Sequence, residues 1–159
     1  MNSAFRHWWK ALVPFLGVLV VLAGLAMPAG AAQSPDDAAA VKALKSQIRL
    51  LSDGATGKAW LQLHPVQQET IPRTRYVQCA SKQSISVTEL KVKDVYHEQV
   101  VIPGTSVTAD STAITVSLTG SVGGKPSSTQ TATFHEFKVG KTWRFAVADP
   151  SIYAPSATC

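Results

Sequence analysis

The dipeptide His-Glu occurs twice, as His97-Glu98 and as His135-Glu136, in segments rich in Val, Thr and Phe. Imidazole and carboxylate are ligands for divalent metals, which take three or four such groups. Adjacent residues of a strand face opposite ways, so each dipeptide offers one ligand to a given face unless a bulge intervenes. That falls short of a metal centre, and the expectation is polar surface, with no metal and no cofactor. His64 stands beside Pro65 and near Trp60. It has two readings, a residue at a pocket mouth or an imidazole that caps a helix end. Proton transfer wants an acid or base held in an apolar cavity, and Asp94, Tyr96, Asp149 and Tyr153 are the other plausible donors. The pocket candidates are therefore Trp60, His64, Tyr96, Asp149 and Tyr153, and no spacing among them fixes a catalytic residue.

Other patterns fail on inspection. Gly140-Lys141-Thr142 resembles the tail of a phosphate-binding loop, but His135 stands where that loop needs glycine. A strand is expected after it, not a helix whose amino end would hold phosphate, so a hairpin turn is the simpler reading. There is no G-x-S-x-G motif, no paired cysteine and histidine signature, and no glycine-rich dinucleotide loop. In Trp143-Arg144-Phe145 the two rings read as core and Arg144 as outside.

The start of the chain belongs to targeting rather than chemistry. Arg6 and Lys10 precede an uncharged run from Ala11 to Met27, and Ala29-Gly30-Ala31 closes it. Charged start, apolar middle and small-residue end form an export signal, expected over 1–31. A retained leader acting as a single-pass anchor is the alternative. Removing Arg6 and Lys10 lowers the formal charge from +5 to +3. The remaining basic residues are scattered singly, with no stripe for a phosphate backbone, which excludes nucleic acid as a natural partner. Residues 32–159 suffice for one domain and not for two. Outside the cytosol the two cysteines, Cys79 and Cys159, read as a disulfide; neither has the close ligand spacing of a metal site.

Two regions must position these side chains. Ser34-Pro35-Asp36-Asp37 is a helix start, and Val41, Leu44, Ile48 and Leu51 form one apolar stripe opposite Lys42, Lys45 and Arg49. Ser52-Asp53-Gly54 stops that helix. A second is expected from Thr56 to Leu63, a third from Val66 to about Ile71, and a short helix or irregular connector from Arg73 to Cys79. From Ser84 onward the pattern is β: a long strand to Ile102 with a bulge between Val87 and Leu90, then 112–122, 129–139, and a last row of Trp143, Phe145 and Val147. Helices followed by a meander make an α+β domain, with N-terminal helices packed on a curved antiparallel sheet of about four strands.

Trp60-Leu61-Gln62-Leu63-His64-Pro65, Tyr76-Val77-Gln78-Cys79 and Gly140-Lys141-Thr142-Trp143-Arg144, within this order of elements, resemble the nuclear transport factor 2-like, or cystatin-like, cone, and in particular small exported actinobacterial proteins of unassigned role. The resemblance implies a cone-like fold. It includes dehydratases, isomerases and polyketide cyclases, whose Asp, His or Tyr residues sit inside the cone, and many members without chemistry. No motif in this chain takes over those catalytic positions. The expectation is an exported, secreted or envelope, non-catalytic protein with a pocket or assembly face for an envelope protein or a small apolar ligand. Alternatives are an isomerase, dehydratase or cyclase using His64, Tyr96 or Asp149, and a membrane-anchored accessory subunit of an envelope transport complex. A homodimer through the sheet is a further possible assembly.

Overall fold

The computed structural model describes residues 34–123, 125–148 and 150–154, apart from the side chains of Ser151 and Ile152. The expected leader, Asp149 and Cys159 lie outside the described residues. Among the described residues the chain is an α+β protein with four α-helices ahead of a four-stranded antiparallel sheet.

Helix α1, Pro35–Ser52, begins on a capping box: Ser34 Oγ accepts from the Asp37 amide, and Asp37 Oδ2 accepts from the Ser34 amide, each at 3.1 Å. The amide of Asp53 closes the other end on Arg49 O, and Gly54 takes the left-handed φ of 68° that follows. Ala40, Val41 and Leu44 are buried on one stripe, and Gln47 continues it. The short helices α2, Thr56–Trp60, α3, Pro65–Thr70, and α4, Arg73–Ala80, follow.

Helix α2 stops three residues before the expected end at Leu63. Pro65 disfavours helical backbone at His64. Instead 62–64 runs alongside the last strand, where the His64 amide donates to Phe145 O at 2.7 Å and the Phe145 amide donates to Gln62 O at 3.1 Å.

The strands β1, Ile85–Val101, β2, Thr108–Val122, β3, Ser128–Val139, and β4, Thr142–Phe145, pair in sequence order. The expected bulge is present as a register shift between Val87 and Glu89, and a second shift lies between Val92 and Asp94. Opposite the first, a Cβ on Gly120 would strike the Ser86 carbonyl oxygen. Gly120→Ala is therefore expected to cost roughly 1–3 kcal/mol in urea unfolding, since backbone must shift to admit the methyl. An unchanged midpoint would contradict the close approach. Strand β1 is one edge of the sheet, and its two irregularities and exposed Glu89, Lys91 and Lys93 discourage further pairing.

The face of the sheet toward α1 carries Leu90, Val92 and Val95 of β1, Ile114, Val116 and Leu118 of β2, Phe134 of β3 and Trp143 of β4. A second apolar cluster joins α2 and α4 through Ala59, Leu63, Tyr76, Cys79 and Tyr153, with Phe145 and Val147 packed against it. The final row was expected to continue as strand through Val147, but β4 ends at Phe145. The backbone of Val147 is diverted to Gln67, a fully buried α3 side chain that accepts from the Val147 amide and donates to Val147 O and Pro103 O at 2.8–3.0 Å. Gln67→Leu strips three backbone groups of their partner. The expected loss is about 2–4 kcal/mol in chemical unfolding, and a loss below about 0.5 kcal/mol would show that water replaces the amide.

Arg144 was expected outside and is tucked against α2. One guanidinium nitrogen, Nη1, donates to Leu61 O, while Nε is buried without a partner. The carbonyl that α2 leaves unpaired at its end draws the cation inward.

Candidate functional site

Strand register decides what the two His-Glu dipeptides do. His97 lies opposite Thr112, and Thr112 opposite Glu136, so these three form one row on the α1 side of the sheet. Glu98 and His135 fall on the other side, with Ser111 beside them. Each dipeptide thus gives one residue to each face, as strand alternation requires. Among the described residues no group of three His, Cys, Asp or Glu side chains is disposed to hold a metal.

Helix α1 contributes three polar contacts to its side of the sheet. Asp36 receives Lys138 Nζ at 2.7 and 2.8 Å. Asp37 Oδ1 stands 3.0 Å from His97 Nε2, an ion-pair approach without hydrogen-bond alignment. Gln47 Nε2 donates to Glu136 Oε2 at 3.0 Å. Glu136 has no solvent exposure, and its second oxygen, Oε1, has no hydrogen-bond partner. Burial pushes its carboxyl up to about 8, opposed only in part by the Gln47 amide. The acid consequently holds its proton at neutral pH. Around it opens a cleft of about 490 Å³ lined by Asp36, His97, Asp110, Glu136, Lys138 and Trp143 among others.

The other face presents a different group. Ser111 Oγ lies 3.3 Å from His135 Nδ1, and Glu98 Oε1 lies 3.7 Å from that same nitrogen. A nucleophile relay needs the hydroxyl and the carboxylate on opposite ring nitrogens. Here they compete for one, so the trio is not a catalytic triad. Burial lowers the pKa of His135, while Glu98 acts in the opposite direction.

The five pocket candidates do not converge. Trp60 packs against the helical cluster, and its indole Nε1 donates to Ile71 O at 3.0 Å. His64 caps α3: its Nδ1 accepts from the Val66 amide at 3.4 Å, and its ring meets Phe137 edge-on at 5.3 Å. Burial and then the Arg144 charge lower its pKa. Tyr96 is exposed on β1, on the Glu98 side, where burial, Glu98 and Asp94 raise its phenol. Tyr153 is buried and its ring lies 4.8 Å from that of Tyr76. Asp149 lies outside the described residues. Trp60, His64, Tyr96 and Tyr153 do not line the cleft.

Glu136 and Gln47 hold positions in the site that their residue types alone do not announce. Glu136 falls in phase with Phe134 on β3, and Gln47 falls three residues after Leu44 on the α1 stripe. A polar residue in register with an apolar row on each of two elements is the signal that pairs them. No protein-family model matches the chain, and no curated protein sequence matches it.

Proposed function

We propose that this is an exported, non-catalytic protein of the cell envelope, and that the cleft between α1 and the sheet is its face for an envelope partner. The observation that carries the reading is the pairing of α1 with the sheet beside the cleft: Asp36 with Lys138, Asp37 with His97, and Gln47 with one oxygen of Glu136. These groups clasp α1 to the sheet and leave a charged rim around an aromatic wall, the chemistry of a recognition surface. The charged side chains at the rim favour a protein or polar ligand over a small apolar one. The bulged and charged β1 edge favours a partner at the cleft over a second copy paired through the sheet. Likeness to the nuclear transport factor 2-like cone rests on the order of helices and strands.

Export and the Cys79–Cys159 disulfide belong to the same reading. Among the described residues no helix is long and apolar enough to cross a membrane. Cys79 is buried between Tyr76 and Ala80 in the helical cluster, a protected seat for a bridge that fastens the tail. Intact mass of material from the envelope fraction is expected to lack 1–31 and to fall about 2 Da below the reduced mass. A full-length mass would favour the anchored accessory subunit.

The partner face is tested by Asp110→Lys on the exposed rim, with Thr131→Lys on the opposite face as control. Native mass spectrometry of crosslinked complexes purified from the envelope is the readout. The expected result is loss of the bound species in the first variant alone, with both variants melting like the parent. Equal retention in both would overturn the assignment.

A further inference from the structure

The cleft already holds one ammonium group, supplied by its own chain. Lys138 Nζ sits between the Asp36 carboxylate and the ring of Trp143, 5.9 Å from the ring centroid. A carboxylate and an aromatic face together are the usual surroundings of a bound organic cation. Beside it, Asp110 takes a hydrogen bond from Gln99 at 2.9 Å and remains exposed to solvent. At the floor, the fully buried Glu136 leaves Oε1 without a partner. Among the described lining residues on the α1 side of the sheet, the fixed charges are the carboxylates of Asp36 and Asp110 against the single cation Lys138. An anion is disfavoured there, and a second cation has room and counter-charge.

We propose that this cleft binds a primary ammonium group, with Glu136 Oε1, Asp110 and the Trp143 ring as its recognition elements. This deepens the partner reading and rests on the same face. The group is carried either by a free aliphatic diamine or by a lysine side chain of a protein partner. Entry passes the His97 ring, whose side chain is 65% exposed.

The chemistry couples binding to a proton. An alkylammonium stays charged up to about pH 10. The ionised Glu136 carboxylate supplies its counter-charge, whereas the protonated acid is neutral. The charged and titratable groups near Glu136 are Asp36 and Asp37 from α1, His97 from β1, Asp110 from β2 and Lys138 from its own strand, while β4 brings Trp143 and Phe145. Of these, Glu136 is the buried group raised into the range above neutrality. Affinity is therefore expected to rise by up to about tenfold per pH unit from pH 6 toward 8 and then level off.

Calorimetric titration of the exported protein with 1,5-diaminopentane and, separately, with Nα-acetyl-lysine amide tests this across pH 6 to 9. Saturable binding with that pH rise is the expected result. Tighter binding of the diamine identifies a small-molecule source, and tighter binding of the lysine amide identifies a protein side chain. Glu136→Gln should flatten the pH profile, and Asp110→Asn should weaken binding about tenfold with an unchanged melting temperature. Failure of both probes to bind at pH 8, or a pH rise that persists in Glu136→Gln, would overturn the proposal. If neither probe binds yet Asp110→Lys still abolishes partner retention, the ammonium assignment alone falls and the partner face stands.

Discussion

Glu136→Gln is expected to make the protein more stable above neutral pH and to remove most of the fall in its stability between about pH 4.5 and 8. The folded acid is raised from 4.5 to about 8 because its side chain has no contact with solvent. The folded state therefore keeps a proton that the unfolded chain releases. A group raised in this way leaves full stability below the unfolded value and withdraws it as pH climbs to the folded one. Three and a half units correspond to about 5 kcal/mol as an upper bound. Glutamine cannot ionise and still accepts from Gln47, so the variant should match the parent near pH 4.5 and exceed it near pH 9. Gln47→Leu works the other way. The Gln47 amide lowers the acid by bonding Oε2, and its loss should carry the decline on to higher pH. Urea unfolding at half-unit pH steps measures both. A parent profile as flat as that of the glutamine variant would show that the acid is solvated.

Reduction of the proposed Cys79–Cys159 bridge carries the second large effect. Closing a loop of 81 residues, counted from Cys79 to Cys159, removes chain entropy from the unfolded state worth about 4 kcal/mol. Cys79 packs with Tyr76 and Tyr153 in one buried cluster, so the proposed bridge would start from a rigid seat. Dithiothreitol should lower the unfolding midpoint, and Cys79→Ser should reproduce the shift and abolish further sensitivity to reductant. An identical midpoint in oxidised and reduced protein would remove the bridge from the account.

The elements were legible in the sequence where one rule acted alone. The capping box at Ser34, the stripe through Val41 and Leu44 and the alternation of 112–122 each report a single local preference, and α1 and β2 follow them. The bulge after Val87 was visible as a change of phase, and Gly120 is the facing residue that lets the backbones close. What local patterns do not encode is pairing at a distance. The parallel contact of 62–64 with Phe145 ends α2 early, and it depends on residues more than 80 positions apart.

The site was less legible for the same reason. Splitting of the His-Glu dipeptides between faces follows from strand geometry, but the choice of Glu136 as the interior carboxylate depends on its row with His97 and Thr112. Its partner Gln47 is 89 positions away. The chemical types of Trp60, His64 and Tyr153 suit a pocket, and local structure uses them otherwise: an indole bound to a carbonyl, a helix cap and a buried ring.

The most direct measurement is the carbon-13 chemical shift of the Glu136 side-chain carboxyl followed through a pH titration. A midpoint near 8 is expected for an acid buried at the floor of the cleft with one oxygen on Gln47. A midpoint near the ordinary 4.5 would mean that water reaches it. In that case α1 does not close the floor of the cleft.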